Sequence, residues 1–213
     1  MHAASYTKQD LRPAEPGLYN HLTQKTELRN TIRTRLQAIA PEQFSLAGLS
    51  AARQLTQLPF WKEARSVLAF FSMRDEIDTL PVMKIILENN KSLFTPAIEG
   101  RSLAFYRILA AYKVDVPLFG GAYHESKKPP ELCLKFEDFP VLVITPGLAF
   151  DRSFYRLGRG RGYYDSFFAD LDSKGWNYSA VGFCMDCQIV DKVPVDSWDK
   201  KMDGLSTEKH LYQ

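Results

Sequence analysis

Residues 139–165 read FPVLVITPGLAFDRSFYRLGRGRGYYD, and this stretch decides the fold class. It contains a short apolar segment, Val141–Thr145, whose β-branched residues are typical of a buried strand. A loop follows, then the alternating arginines and glycines of 156–162, and residues 163–173 have the pattern of a helix. A strand, a glycine-rich loop and a helix in this order predict an α/β protein with a ligand site beyond the carboxyl end of the strand.

The remaining chain also alternates between helical and strand patterns. Leucine and isoleucine side chains at 28, 32, 36 and 39 form one apolar stripe, which predicts a helix from Lys25 to Pro41. Further helices are predicted from Ser45, as N-cap, to Leu58 and over 79–91. Strands are predicted at 66–73, 92–98, 103–108 and 178–185. We therefore expect a single layered α/β/α domain with a mainly parallel sheet flanked by helices.

Composition places the chain among ordinary globular proteins. The 213 residues suit one well-buried domain, and the net charge of +2 provides no overall field that would attract nucleic acid or a membrane. No apolar run has the length of a membrane span. Residues 1–22 lack the apolar core of a signal peptide, so we expect a flexible N-terminal arm before a domain at 23–213.

The cysteines indicate the cellular compartment. Three cysteines are too few for a disulfide framework, which predicts a reducing, cytoplasmic setting. The CMDC at 184–187 has the spacing of a metal or redox pair, but a structural zinc site needs four ligands and no second pair is evident. We interpret it as a coincidence at a strand end, with a redox pair as the open alternative.

The alternating loop has the chemistry of a phosphate site. It contains three glycines and three arginines: Gly158, Gly160 and Gly162, and Arg156, Arg159 and Arg161. Glycines let the backbone curl closely around a ligand, arginines present forked donors to phosphate oxygens, and the following helix offers the N–H groups of its first turn. The spacing fits neither a P-loop nor a dinucleotide fingerprint. An RNA-binding segment or a plain surface turn are the alternatives, but the first is usually long and repetitive.

The stretch RLGRGRGYYD, with the preceding TPGLAFD, resembles the signature of the 5-formyltetrahydrofolate cyclo-ligase family, also called methenyltetrahydrofolate synthetases. Other segments fit that family in order: KTELR (25–29), FFSMRDEIDT (70–79) and VPVDSWDKKMD (193–203). The resemblance implies an enzyme that uses ATP and Mg²⁺ to convert 5-formyltetrahydrofolate into 5,10-methenyltetrahydrofolate, releasing ADP and phosphate. It implies small-molecule substrates, a monomer, and no nucleic-acid or membrane partner.

The resemblance also implies roles for individual residues. The ATP contacts would be Lys25, Arg29 and the loop residues Arg156, Leu157, Gly158, Arg159, Gly160, Arg161, Gly162, Tyr163 and Tyr164. The folate contacts would be Phe71, Met73, Glu76, Tyr123 and the loop from Arg159 to Tyr163. Arg159 would stabilise charge on the transferring phosphoryl group, and Tyr163 would stack on a ring or bind a phosphate. The magnesium carboxylates would be Asp165 and Asp203.

Each of these roles has a structural alternative. Lys25 and Arg29 are also what the solvated flank of an amphipathic helix contains. Glu76 and Asp165 could serve as helix-terminal acids that favour the macrodipole, and Tyr163 could pack in the core. The choice between roles rests on the resemblance.

Three positions depart from the family pattern. Phe154 stands where the family usually has glycine, Ser126 follows Glu125 where a Glu-Pro pair is common, and Gly204 replaces a residue that is often acidic. If position 154 requires a positive φ, phenylalanine is costly there and the start of the loop must differ.

Two other functions remain open at this point. The chain could bind ATP but act as a kinase or ligase on another small molecule, in which case the folate contacts would be the part that differs. It could also be a non-catalytic folate-binding or RNA-associated homologue. The presence of Lys25, Arg156, Asp165 and Asp203 argues against a non-catalytic role.

Overall fold

The structure is a computed structural model that describes residues 16–100, 102–108 and 133–213, with side chains from residue 21 onward. Three residues of interest, Tyr123, Glu125 and Ser126, lie outside the described residues, as do residues 1–15 of the predicted arm. Helices and strands alternate through the described part and build one central sheet with helices on both faces.

Two helices begin earlier than the sequence predicts. The helices are α1 (Pro16–Gln37), α2 (Pro41–Leu55), α3 (Pro59–Glu63), α4 (Leu80–Glu88) and α5 (Tyr163–Ser173). α1 starts nine residues before Lys25, where the sequence has no apolar stripe to mark it. The predicted N-cap Ser45 is wrong, because α2 starts at Pro41, whose fixed φ suits the first helical position, after Ala40 in extended conformation.

The central sheet is mainly parallel, which confirms the predicted fold class. Its strands, in the order β10-β9-β7-β4-β1-β2-β3, are β1 (Ser66–Leu68), β2 (Ser92–Glu99), β3 (Ser102–Arg107), β4 (Val141–Thr145), β7 (Tyr178–Phe183), β9 (Gly204–Ser206) and β10 (Leu211–Tyr212). Only the edge strands β3 and β10 pair antiparallel within it. A small second sheet, β6-β5-β8, contains β5 (Ala149–Asp151), β6 (Arg156–Leu157) and β8 (Ile189–Val190).

The core lies on both faces of the central sheet. Leu142 and Ile144 of β4 pack in a cluster with buried residues of α1, α2 and α4. Val141 and Val143, which alternate with them along the strand, pack with buried residues of α5. Among the described residues β4 is therefore covered on both faces, as is usual for a parallel strand.

Phe154 occupies the left-handed region that its family position suggested. Its φ is 69°, and its N–H donates to the carbonyl of Asp151 at 2.9 Å. The carboxylate of Asp151 accepts from the N–H groups of Ser153 and Tyr155, so the turn is fixed by its own hydrogen bonds. The Phe154 ring packs on the cluster beneath α5. Packing and hydrogen bonds thus hold a bulky residue where glycine is favoured.

At Phe154 we expect a glycine variant to be more stable than an alanine variant, which reverses the usual order. Phe154→Gly and Phe154→Ala both lose the ring, but only alanine keeps the left-handed strain, so the glycine variant should be the more stable by about 0.5–1 kcal/mol. Urea unfolding measures the difference. At Ser153, which is exposed and has no positive φ, the same pair should show alanine equal or better. Alanine above glycine at 154 as well would contradict the backbone account.

Candidate active site

A cavity of about 700 Å³ opens at the carboxyl ends of the parallel strands. Its lining includes Phe70 after β1, Pro96 on β2 and Pro146 after β4, which is where open α/β sheets bind their ligands. The volume suits small-molecule substrates. The predicted site residues that line the cavity are Lys25, Arg29, Phe71, Met73, Glu76 and the whole glycine loop with the first turn of α5, from Arg156 to Asp165.

The glycines shape the wall of this cavity. Gly160 and Gly162 have φ of 104° and 69°, which side chains rarely tolerate. A Cβ on Gly158 would lie 2.9 Å from the nearest guanidinium nitrogen of Arg156. No side chain caps α5, which starts directly after Gly162. The first turn of α5 therefore offers its N-terminus to an anion in the cavity.

Arg159 joins the glycine loop to the segment that follows β1. Its Nη1 and Nη2 donate to the two carboxylate oxygens of Asp75 at 3.2 and 2.7 Å, and its Nε donates to Glu76 Oε1 at 3.1 Å. The other oxygen of Glu76 accepts the N–H of Met73 at 2.9 Å. Burial raises the pKa of Glu76, and Arg159 and the Met73 N–H offset this only in part. The predicted charge-stabilising arginine thus touches the predicted folate carboxylate.

Lys25 is held by two carboxylates that the sequence analysis did not select. Its Nζ lies 2.7 Å from Asp196 Oδ2 and 2.8 Å from Asp199 Oδ2. Burial alone would lower the pKa of Lys25, but these two partners raise it. His21, one helical turn earlier, lies 3.1 Å from Asp196 Oδ1. Both aspartates line the cavity and connect α1 with the segment 193–199.

Arg156, at the start of the glycine loop, forms an ion pair with Asp165, in the first turn of α5. Arg156 Nη2 donates to Asp165 Oδ1 at 2.6 Å, and Nη1 donates to the carbonyl of Pro146 at 3.3 Å. Two buried polar atoms beside this pair, Arg156 Nε and Tyr164 Oη, have no hydrogen-bond partner among the described residues. Burial also raises the pKa of Tyr164. Unsatisfied buried donors at a cavity wall favour a ligand with acceptor oxygens.

Arg29 of α1 binds the backbone of the glycine loop. Its Nε donates to the carbonyl of Gly158 at 3.0 Å, and a Cβ on Gly160 would contact its guanidinium at 3.7 Å. Tyr163 and Arg161 line the cavity, with Arg161 exposed. Arg29 therefore fixes the loop backbone in this structure as well as adding positive charge to the cavity.

The structure separates the two carboxylates predicted to hold magnesium. Asp203 does not line the cavity: it is exposed, and its Oδ2 accepts the N–H of Ala180, in the middle of β7, at 2.7 Å. The pairing of β9 with β7 places Asp203 there, so the structure does not bring it to the cavity wall beside Asp165, and its role at magnesium stays a prediction. Asp196 and Asp199, earlier in the same segment, are the carboxylates that reach the cavity.

The donor set of the cavity fits Mg²⁺ that is shared with phosphate. Within the ranges that the structure describes, no three His, Cys, Asp or Glu side chains converge on one point. Mg²⁺ bound to phosphates needs only one or two protein carboxylates, and its other ligands are phosphate oxygens and water. Asp165 and Asp199 are carboxylates of the cavity wall that could serve in this way.

The CMDC segment shows no sign of redox chemistry. Cys184 is buried after β7, Cys187 is half-buried, and both are free thiols. Burial raises the pKa of both thiols, which disfavours the thiolate that a reactive cysteine requires. This agrees with the interpretation of the spacing as coincidental.

Comparisons with known sequences and structures then place this chain in a protein family. A sequence model described as the 5-formyltetrahydrofolate cyclo-ligase family matches residues 21–208. The chain belongs to this family. As a cyclo-ligase family member it is 30% identical to the 5-formyltetrahydrofolate cyclo-ligase of Escherichia coli over 85% of this chain and 99% of that protein. It is 27% identical to a probable 5-formyltetrahydrofolate cyclo-ligase of Schizosaccharomyces pombe, over 88% and 96%.

Solved structures agree with this family assignment. An NMR structure of Aquifex aeolicus 5,10-methenyltetrahydrofolate synthetase matches with a TM-score of 0.69 and 29% sequence identity. The match covers 89% of this chain and 92% of the Aquifex chain. A Mycoplasma pneumoniae 5,10-methenyltetrahydrofolate synthetase shares the fold, with a TM-score of 0.64 and 18% identity over 86% of this chain and 98% of the Mycoplasma chain.

In the described residues, no helix is both long and apolar enough to cross a membrane.

Proposed function

We propose that this chain converts 5-formyltetrahydrofolate into 5,10-methenyltetrahydrofolate, with ATP as co-substrate and Mg²⁺ as cofactor. One observation carries the proposal: a single cavity contains both the glycine loop and the segment Phe71–Glu76, and Arg159 connects the two. A nucleotide phosphate on the loop and a folate against that segment would meet at the Arg159 guanidinium. The family assignment supports 5-formyltetrahydrofolate as one substrate, and the glycine loop supports a nucleotide phosphate as part of the other.

The reaction needs placement and charge more than it needs a nucleophile. The formyl oxygen is a poor leaving group until the γ-phosphoryl group of ATP is transferred to it, which releases ADP. The neighbouring folate N–H nitrogen then attacks the formyl carbon and releases its proton to water. A carbon–nitrogen bond thus forms, the carbon–oxygen bond breaks and phosphate leaves. Such a sequence requires aligned substrates and stabilised phosphoryl charge, which a rigid loop with fixed arginines provides.

The residues divide this work by position. Arg156 and Lys25 both line the cavity, where each contacts a carboxylate that an anionic phosphate could replace as partner. Arg159 neutralises charge on the transferring group. Asp165 and Asp199 would hold Mg²⁺, which supplies charge neutralisation on phosphate oxygens. Glu76 presents a buried carboxylate to the donor-rich edge of the folate pterin ring.

Glu76 gives a prediction about substrate affinity. Glu76→Gln should raise KM for 5-formyltetrahydrofolate by about 10- to 100-fold, because a hydrogen bond to a charged acceptor contributes about 1.5–3 kcal/mol, while KM for ATP stays nearly constant. Steady-state kinetics with each substrate varied in turn measures the split. Glu88→Gln, on the exposed side of α4, is the matched control. Equal rises in both KM values would contradict a folate-specific contact.

The alternative functions are separated by the choice of acceptor. ADP release should depend on 5-formyltetrahydrofolate, and other folates and small acids should not replace it. ADP release that needs a different acceptor would identify a kinase or ligase of another kind. Binding of 5-formyltetrahydrofolate without any ADP release would identify a non-catalytic homologue. The monomeric state, cytoplasmic location and absence of nucleic-acid partners stay predictions.

A further inference from the structure

Two large apolar side chains lie exposed at the rim of the cavity. Trp198 is 71% exposed and Leu22 is 59% exposed, and both line the cavity. None of the described residues places a ring or a cation against the Trp198 indole, whereas the exposed ring of Phe136 packs at 6.2 Å from that of Trp176. Exposed apolar surface at the edge of a ligand cavity indicates that a ligand covers it.

The structure holds this pair in place beside Lys25. Trp198 lies between Asp196 and Asp199, which both contact the Lys25 ammonium. Leu22 lies three residues before Lys25 on α1, and positions three apart share a helix face. The ion pairs that fix α1 to segment 193–199 therefore also fix the indole and the leucine relative to the cavity.

The opposite wall of the cavity is already suited to the other substrate. Phe71 and Glu76 provide an apolar surface and a buried carboxylate there, which fit a pterin ring with its amino donors. The glycine loop lies between the two walls, with Arg159 reaching toward Glu76. If the phosphates of a nucleotide bind the loop and the pterin occupies the wall at Glu76, the part of the rim lined by Leu22, Lys25 and Trp198 is left for the base.

We propose that Trp198 and Leu22 form the platform on which the purine base of the nucleotide stacks. This inference rests on the proposed function and adds a subsite for the base. Stacking on an aromatic side chain depends little on which base is bound, because every base has a flat face. The platform thus provides affinity for nucleotides without selecting adenine over guanine by hydrogen bonds.

Kinetics of variants test the platform. Trp198→Ala should raise KM for ATP by about 5- to 150-fold, and Trp198→Phe should restore most of the loss, because the phenyl ring can still stack. KM for 5-formyltetrahydrofolate should stay within about twofold, and Phe136→Ala should change neither KM. An unchanged KM for ATP, or a rise in KM for the folate instead, would overturn the proposal.

Tryptophan fluorescence tests binding without turnover. Trp61 is 5% exposed and Trp176 is half-buried, so the difference between wild-type and Trp198→Phe emission isolates the exposed indole. ATP should change this signal, and inorganic tripolyphosphate, which has the phosphates without a base, should not. Equal responses to both would overturn the platform. A protein that shows the ATP-specific response but no turnover would keep the platform and refute the proposed reaction.

Discussion

Replacing Arg159 with methionine is expected to lower kcat by about 10³-fold or more, because an arginine that neutralises a transferring phosphoryl group contributes about 10³–10⁵ in rate. Arg159 is the side chain that spans from the glycine loop to Asp75 and Glu76, so it lies between the two proposed substrates. Arg159→Lys keeps the charge but loses the fork, and an intermediate kcat is expected. Methenyltetrahydrofolate formation under saturating substrates measures both.

Stability must be followed in the same experiment, because Arg159 also compensates Glu76. Burial raises the pKa of Glu76 in the folded protein, so the folded state binds a proton more tightly than the unfolded state and stability falls as pH rises through that range. Removal of Arg159 should steepen this fall. Arg53→Met, on the exposed side of α2, controls for loss of a surface arginine. A folded Arg159→Met protein with kcat within tenfold of wild type would contradict the role.

Asp165→Asn should lower kcat by on the order of 100-fold and raise the Mg²⁺ concentration needed for half-maximal rate, because the variant loses a charged ligand at the phosphates. Asp199→Asn should act in the same direction, because it removes the second carboxylate proposed to hold Mg²⁺ at the cavity wall. Asp203→Asn is the matched control from the same segment, and its Mg²⁺ dependence should equal that of wild type. Rates measured across a Mg²⁺ titration compare the three.

The Asp203 variant also tests the sequence prediction that Asp203 holds magnesium. Asp203 accepts a hydrogen bond from the Ala180 N–H, so Asp203→Asn could lower thermal stability slightly while leaving the Mg²⁺ titration unchanged. A Mg²⁺ requirement that shifts for Asp203→Asn and stays constant for Asp165→Asn would refute the assignment of the metal carboxylates to the cavity wall.

Local sequence patterns were enough to predict the strand and the helix on either side of the glycine loop. The bounds of β4, Val141–Thr145, follow from a β-branched run that ends at a proline, and α5 starts directly after Gly162 as predicted. Both signals are confined to neighbouring residues. The strands β5, β6, β8, β9 and β10 are only two or three residues long. Pairing of β5 with β8 and of β9 with β7 joins segments that are far apart in the chain, which no local pattern reveals, and β6 and β10 then pair with β5 and β9.

The missed site residues are missed for the same reason. Asp75 contacts Arg159 across 84 positions of sequence, and Asp199 contacts Lys25 across 174. The segment VPVDSWDKKMD contains three aspartates, and its chemistry alone does not say which of them reach the cavity. The register of β9 against β7 decides this, because it fixes Asp203 beside Ala180 and leaves Asp196 and Asp199 to face α1.

The most direct test of the account follows absorbance in the methenyltetrahydrofolate band. Purified protein is mixed with 5-formyltetrahydrofolate, ATP and Mg²⁺, and each component is then omitted in turn. The account predicts a rise that requires all three components and disappears in Arg159→Met. A flat trace from a folded protein that still binds ATP would contradict the proposed reaction and show that the cavity serves another acceptor.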